Sequence, residues 1–327
     1  MKRLSILIWA ILVPTLVLLV VIDRTRAETK EGYVGQEACK ECHEKTYQQY
    51  VNSVHNKRAI SGTPAHREGC ETCHGPGAEH VDKGGGKGTG MFVFDKKEDS
   101  EKRSAVCNSC HEDSKTLAFW NMNRHKRAGN ACDDCHSVHK GVDKAMLVAR
   151  EPELCFTCHQ DVRFQFNKQS RHPVNEKFVS HQKLTCSSCH DTMGAFVGES
   201  VDSFSSRLGT GRGKMLRADS TNELCYKCHA EKRGPFLWEH PPVEENCLIC
   251  HDSHGSNHSK LLVRKMPLVC QSCHIEGHPG SPYTNLHSFQ GTATSGKNRF
   301  FARSCLNCHT NVHGSNGAGS RGKAFVR

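Results

Sequence analysis

Residues 247–274 read CLICHDSHGSNHSKLLVRKMPLVCQSCH. Two Cys-x-x-Cys-His motifs bracket the stretch, Cys247/Cys250/His251 and Cys270/Cys273/His274. His254 follows the first motif by three residues, and a Leu-Leu-Val step precedes the second. Residues 132–159, CDDCHSVHKGVDKAMLVAREPELCFTCH, repeat the plan with Cys132/Cys135/His136, His139, Met-Leu-Val and Cys155/Cys158/His159. Residues 186–229 hold a longer version, from Cys186/Cys189/His190 through Lys214-Met215-Leu216 to Cys225/Cys228/His229. The same motif recurs at Cys39/Cys42/His43, Cys70/Cys73/His74, Cys107/Cys110/His111 and Cys305/Cys308/His309. These ten copies use all twenty cysteines.

That spacing is the attachment signature of c-type haem. Two thiols form thioethers with the haem vinyl groups, and the adjacent histidine ligates iron from the proximal side. The chain is therefore expected to bind ten covalent haem c groups, on His43, His74, His111, His136, His159, His190, His229, His251, His274 and His309. Zinc knuckles also use Cys-x-x-Cys but do not require a histidine at one fixed place every time. A disulfide framework would not put every cysteine three residues from another.

Composition fits a fold built on cofactors. Over 327 residues only 7% are aromatic, and the mean hydropathy is −0.59. Ordinarily such a chain has a thin core or none. Here the porphyrins are expected to be the core, each a large apolar disc held covalently. The predicted class is a multihaem cytochrome c: short α-helices and loops wrapped around haems, little or no β structure, an elongated repeat-like haem chain. The net charge of +10, less the +3 of residues 1–27, leaves +7 on the remainder. Ten ferric haems with ionised propionates carry about −10 between them, so the basic residues read as propionate partners. No basic run with interleaved aromatics points to a nucleic acid.

Residues 1–27 read as an export signal: Lys2 and Arg3, an apolar run from Leu4 to Ile22, then Asp23-Arg-Thr-Arg-Ala27. Thr25 and Ala27 are the small residues before a cleavage point. The alternative is an uncleaved anchor, since about 19 apolar residues approach the length of a spanning helix. Either way the body, residues 28–327, is expected outside the cytoplasm as one domain of repeated haem pairs. Successive first cysteines are separated by 31, 37, 25, 23, then 31, 39, 22, 23, then 35 residues. The recurrence of the first four intervals, with the matching residues, pairs motifs four and five, six and seven, and eight and nine, with two and three a divergent member. Repeats that cannot bury their cofactors alone are expected to stack along one direction.

The sixth iron position decides between wire and enzyme. Two imidazoles close the iron to substrate, whereas catalysis needs an open or exchangeable site. Of 23 histidines, thirteen lie outside the motifs. His139 and His254 follow a motif histidine by three residues and His313 by four, too close to reach the far side of their own iron. They are expected to ligate a different haem. His55, His125, His172 and His240 lie 11–14 residues after a motif histidine, His80 six and His278 four. These nine form the expected distal set. His278 is preferred to His287 because Gly-His-Pro matches the His-Pro pairs at 172–173 and 240–241; His66 and His258 are spare. One haem remains, and His181, Met193 and His287 compete for it. Met193, in Cys-His-Asp-Thr-Met-Gly, occupies the slot that His254 fills in Cys-His-Asp-Ser-His-Gly.

Over about residues 33–320 the chain resembles the MtrA/DmsE-type periplasmic decahaem cytochromes and their homologues in iron-oxidising bacteria. The resemblance is most specific at CYKCHAEKRGP (225–235), LWEH (237–240), ENC (245–247), CHDSHGS (250–256), RSCLNCH (303–309) and VHGSN (312–316). The chain departs from it at Met193, where the family pattern has histidine, with a lengthened insertion around His181 just upstream. The resemblance implies a periplasmic electron carrier inserted into a large outer-membrane β-barrel. Its implied partners are that porin, an extracellular multihaem cytochrome or reductase, and periplasmic or inner-membrane electron-carrier cytochromes. Metal oxides, dimethyl sulfoxide or ferrous iron would be the distant acceptor or donor. A soluble periplasmic shuttle is the alternative. A multihaem reductase fits less well, because such enzymes often carry lysine in one proximal slot and all ten here hold histidine.

Overall fold

Every motif begins as one turn of helix, and the reason lies in its spacing. Residues i, i+3 and i+4 share one face of a helical turn. Two thiols and an imidazole at those positions therefore emerge side by side. In the computed structural model, which describes residues 30–142, 145–174, 184–194, 215–274 and 305–326, the histidine N–H donates to the first cysteine's carbonyl. The bonds His74→Cys70, His136→Cys132, His190→Cys186, His229→Cys225 and His274→Cys270 measure 2.9–3.1 Å. The export segment 1–27 lies outside the described residues, as do His181, His278 and His287.

Longer helices are few. Helix α1 (Gln36–Val51) is rich in Gln, Glu, Lys and Ala, and carries the first motif. Its backbone leaves helical values at His43 (φ −113°, ψ 37°). Helix α2 (Ser100–His111) starts where the Asp99 carboxylate accepts the N–H groups of Glu101 and Lys102 at 2.8 and 3.2 Å, an N-cap. It ends on the third motif histidine. Helix α3 (Gln160–Phe166) follows the fifth motif. No strand forms among the described residues; only isolated bridges occur. No helix among them is long and apolar enough to cross a membrane.

The described residues form two compact units. The first runs to Ser114 and resumes over Gly129–Ala149; the second comprises Lys115–Ala128 and everything from Arg150 onward. Motifs one to four fall in the first and five to ten in the second. Among the described residues the buried apolar side chains are Tyr50, Pro64, Ala65, Trp120, Ala131 and Pro152. Buried polar residues outnumber them: Glu71, Arg103, Ser104, Asn123, Asn222, Ser256 and Ser315. Hydrogen bonds rather than packed side chains thus organise the polypeptide.

Three of those polar residues act as latches. The Glu71 carboxylate accepts from Val34 N and Gly35 N at 3.0 and 2.8 Å and from Gly77 N at 2.7 Å, joining the start of α1 to the second motif. Arg103 on α2 donates to Asp133 at 2.7 Å and Asp134 at 3.3 Å, fixing the turn of the fourth motif. Asn222 donates to the Val243 and Glu244 carbonyls at 2.8 and 2.9 Å and accepts from Cys247 N at 2.8 Å.

The sequence repeat has a structural counterpart. After motifs four, six and eight the chain returns and clasps the motif with two bonds. Ser137 N, Asp191 N and Asp252 N each donate at 2.7 Å to Met146 O, Met215 O and Leu261 O. Val148 N, Arg217 N and Val263 N each donate at 2.9 Å to Cys135 O, Cys189 O and Cys250 O. The Met/Leu-Leu-Val step is this returning segment.

Candidate haem-binding sites

None of the twenty cysteines is in a disulfide; in the haem-loaded protein each sulfur would be a thioether. The first cysteines of adjacent motifs lie within hydrogen-bonding reach: Cys39/Cys70, Cys107/Cys132, Cys155/Cys186, Cys225/Cys247 and Cys270/Cys305. Motifs one and two, three and four, five and six, seven and eight, nine and ten are thereby joined. This differs from the pairs read off the sequence duplication. Motifs two and three and motifs eight and nine are also neighbours through their second cysteines, and Cys189 of motif six neighbours both cysteines of motif seven. Duplication reports which segments share ancestry in sequence, whereas thiol proximity reports how the turns meet, and the two registers are offset by one motif.

Both thiols of each motif are expected to hold haem, and the polypeptide alone covers the two unequally. All ten first cysteines are half-buried. Of the second cysteines, Cys42, Cys110, Cys135, Cys158, Cys228, Cys273 and Cys308 are exposed, and Cys73, Cys189 and Cys250 are half-buried. The difference follows from what the polypeptide brings to each sulfur. A first cysteine meets its counterpart from a neighbouring motif, whereas the second cysteine sits three residues on. The seven exposed thiols, Cys135 among them, are reachable from outside the polypeptide. Their fit to haem rests on spacing and accessibility: a thiol must be reachable to form a thioether, and the attached porphyrin is itself an apolar cover.

The imidazoles fall into pairs of one composition. A motif histidine faces a histidine from outside the motifs, ring centres 6.0–6.5 Å apart, in eight cases: His43/His80, His55/His111, His74/His139, His125/His159, His172/His229, His190/His254, His240/His274 and His251/His313. The gap is that of a metal held between them. With metal–nitrogen bonds of ~2.0–2.1 Å and each ring centre ~1.1 Å beyond its nitrogen, two imidazoles on opposite faces of one iron sit ~6 Å apart. The residues present therefore fit a six-coordinate haem at each pair.

Hydrogen bonds set the ring tautomers to match. Nδ1 of the motif residues His74, His136, His251 and His309 lies 2.6–2.9 Å from the carbonyls of Phe92, Ala145, Lys260 and Ala324. On the facing side Nδ1 of His80, His125 and His172 lies 2.6–3.3 Å from the carbonyls of Thr89, Thr192 and Ser253. A carbonyl only accepts, so Nδ1 carries the proton and Nε2 keeps its lone pair for a metal. Burial also pushes the pKa values of His55, His125, His139, His240 and His251 down, and that of His313 to about 4. Neutral imidazole is the ligating form.

The facing histidine belongs to another motif in every pair. Residues trailing odd-numbered motifs face the histidine two motifs later: His55 faces His111, His125 faces His159, His172 faces His229 and His240 faces His274. Residues trailing even-numbered motifs face two motifs back: His139 faces His74, His254 faces His190 and His313 faces His251. His80, after the second motif, turns to His43 of the first.

Comparison with known proteins agrees with this chemistry. A family model described as a doubled CXXCH motif matches residues 125–164 and 240–278. The multiheme cytochrome MtrA of Shewanella baltica is 38% identical over 301 residues, which are 90% of this chain and 83% of that protein. The chain belongs to the MtrA family of multihaem cytochromes. As a member it binds covalent haem c and carries electrons. More distant likeness extends to the C-type polyheme cytochrome OmcB of Geobacter sulfurreducens, 23% identical over 86% of this chain but only 38% of that protein. OmcC of the same species is 28% identical over 64% of this chain and 33% of its own length.

Sequence reasoning singled out every histidine of the eight pairs, but no sequence signal marked Glu71, Arg103 or Asn222. Met193 stands in the turn after the sixth motif, its N–H donating to Asp191 at 3.2 Å.

Proposed function

We propose that the chain is a decahaem electron conduit working between the periplasm and the cell exterior. Bound haem supplies reversible one-electron chemistry at iron. The ten cysteine pairs would hold ten haems, and the ten motif histidines their proximal positions. His55, His80, His125, His139, His172, His240, His254, His278 and His313 would take distal positions, with the tenth falling to His181, Met193 or His287.

What carries the reading is the eight imidazole pairs at 6.0–6.5 Å. Each side chain's task is to hold a fixed nitrogen on one axis. The carbonyls at Nδ1 orient the rings, and two strong ligands per site exclude water and substrate from the iron. A site so closed changes oxidation state with little rearrangement, which suits transfer and not catalysis.

The likeness to MtrA supports the cellular setting. We read residues 1–27 as an export segment and 28–327 as a periplasmic body seated in an outer-membrane β-barrel. An extracellular multihaem cytochrome or reductase would be its partner on one side, and periplasmic or inner-membrane electron-carrier cytochromes on the other. The test is a mild-detergent pull-down from the native outer membrane. A stoichiometric β-barrel is expected alongside the cytochrome. Recovery of the cytochrome alone, in the soluble periplasmic fraction, would replace the conduit with a diffusing shuttle.

A further inference from the structure

The second unit crosses two chain segments repeatedly, and each crossing presents two ligand-type side chains. At the first, Ser170 and Ser256 exchange backbone hydrogen bonds of 2.8 and 2.9 Å. His172, two residues beyond Ser170, faces His229, while His254, two residues before Ser256, faces His190. At the second, Trp238 and Ser315 exchange bonds of 2.9 Å in each direction. His240 then faces His274, and His313 faces His251. The geometry is the same: one histidine from each segment, each serving a different motif.

A third pair of segments matches the first at the residues described, with Met193 standing where His254 does. His125 faces His159, and its Nδ1 lies 3.3 Å from the Thr192 carbonyl. In the first crossing His172 Nδ1 meets the Ser253 carbonyl at 2.6 Å. Ser253 immediately precedes His254; Thr192 immediately precedes Met193. The turns also match. Asp191 accepts from Met193 N and Gly194 N at 3.2 and 3.0 Å, as Asp252 accepts from His254 N and Gly255 N at 3.1 and 3.5 Å. Gly194 and Gly255 each lie so close to a carbonyl, of Thr116 and Gln165, that a Cβ would overlap it. Met193 thus occupies a backbone position whose two equivalents, His254 and His313, both face a motif histidine.

We propose that Met193 is an axial ligand, its thioether sulfur binding a haem iron opposite a motif histidine. The inference rests on the haem assignment above and resolves the tenth position in favour of sulfur. The chemistry balances simply: a sulfur lone pair is donated, no covalent bond breaks and no proton leaves. Metal–sulfur bonds are longer than metal–nitrogen bonds, which offsets the shorter reach of methionine to its donor atom. Thioether favours ferrous iron and raises the potential. One histidine–methionine haem among bis-histidine haems would therefore sit above them, a place where an electron rests.

The test uses the full haem-loaded chain, with Met193→Leu and Met193→His. In the ferric wild type a weak far-red absorption band of thioether-bound low-spin haem is expected. Both variants should lose it. Met193→Leu, which keeps the bulk, should add the high-spin signal of one haem, whereas Met193→His should stay wholly low-spin and lower the highest potential in a redox titration. No band in fully loaded wild type, or a band that survives Met193→His, overturns the proposal. Failure of the haem assignment itself would look different, since the purified chain would then carry no covalent haem.

Discussion

A single hydrogen bond decides how each imidazole presents itself. Where a backbone carbonyl meets Nδ1, as Lys260 does for His251 at 2.8 Å and Ser253 for His172 at 2.6 Å, Nε2 is the nitrogen left for metal. Replacing a facing histidine should open one iron and no other. For His254→Ala, electron paramagnetic resonance of the ferric protein should gain the high-spin signal of one haem with the remainder unchanged. A glycine should matter nearly as much as the ligand. Gly255→Ala would force a methyl group into the Gln165 carbonyl, at a cost of about 1–3 kcal/mol for overpacking. The same high-spin signal is expected from it, with His254 still present but displaced. Every histidine of the eight facing pairs was legible in sequence as a ligand candidate, by its motif or by its spacing after one. Which iron each one serves was not, because His172 and His229 lie 57 positions apart and only the crossing of segments brings them together. Nor does Cys-x-x-Cys spacing distinguish a half-buried Cys39 from an exposed Cys42, since burial depends on the neighbouring turn.

At the level of elements, polar latches do what an apolar core does elsewhere. Glu71→Ala would strand the N–H groups of Val34, Gly35 and Gly77, each worth about 1–3 kcal/mol when buried without an acceptor. A thermal melt of the haem-loaded variant should show a clear loss of stability. Arg103 is 4% exposed and bridges Asp133 and Asp134. Arg103→Leu would leave two carboxylates facing one another, and removing one partner of a buried ion pair costs about 3–5 kcal/mol. Loosening should centre on α2 and the fourth motif, read by hydrogen exchange. The Met/Leu-Leu-Val step was visible in the sequence as a repeat, and the clasps after motifs four, six and eight explain why it recurs. Glu71 left no such trace. An isolated glutamate before Thr-Cys-His looks like any other until its acceptor atoms are seen against donors 36 and 37 residues upstream.

Across the molecule the pairing rule makes haem ligation a form of cross-linking. Under the proposed ligation each iron, held between a motif histidine and a residue from another motif, would close a loop in the chain, and loop closure restrains the unfolded state. Few apolar side chains are buried among the described residues, so metal ligation and porphyrin contacts must supply most of the cohesion. A polypeptide prevented from acquiring haem is expected to remain unfolded by circular dichroism, as small metal-dependent domains do. Ten attachment motifs predicted this dependence from sequence, whereas the one-motif offset between duplicated pairs and thiol-joined pairs emerged only in three dimensions. The most direct test of the whole scheme is denaturing intact-mass spectrometry of the exported protein. The expected mass is that of the polypeptide plus ten covalent haems. A mass short of ten, with any cysteine pair unmodified or oxidised to a disulfide, would contradict it.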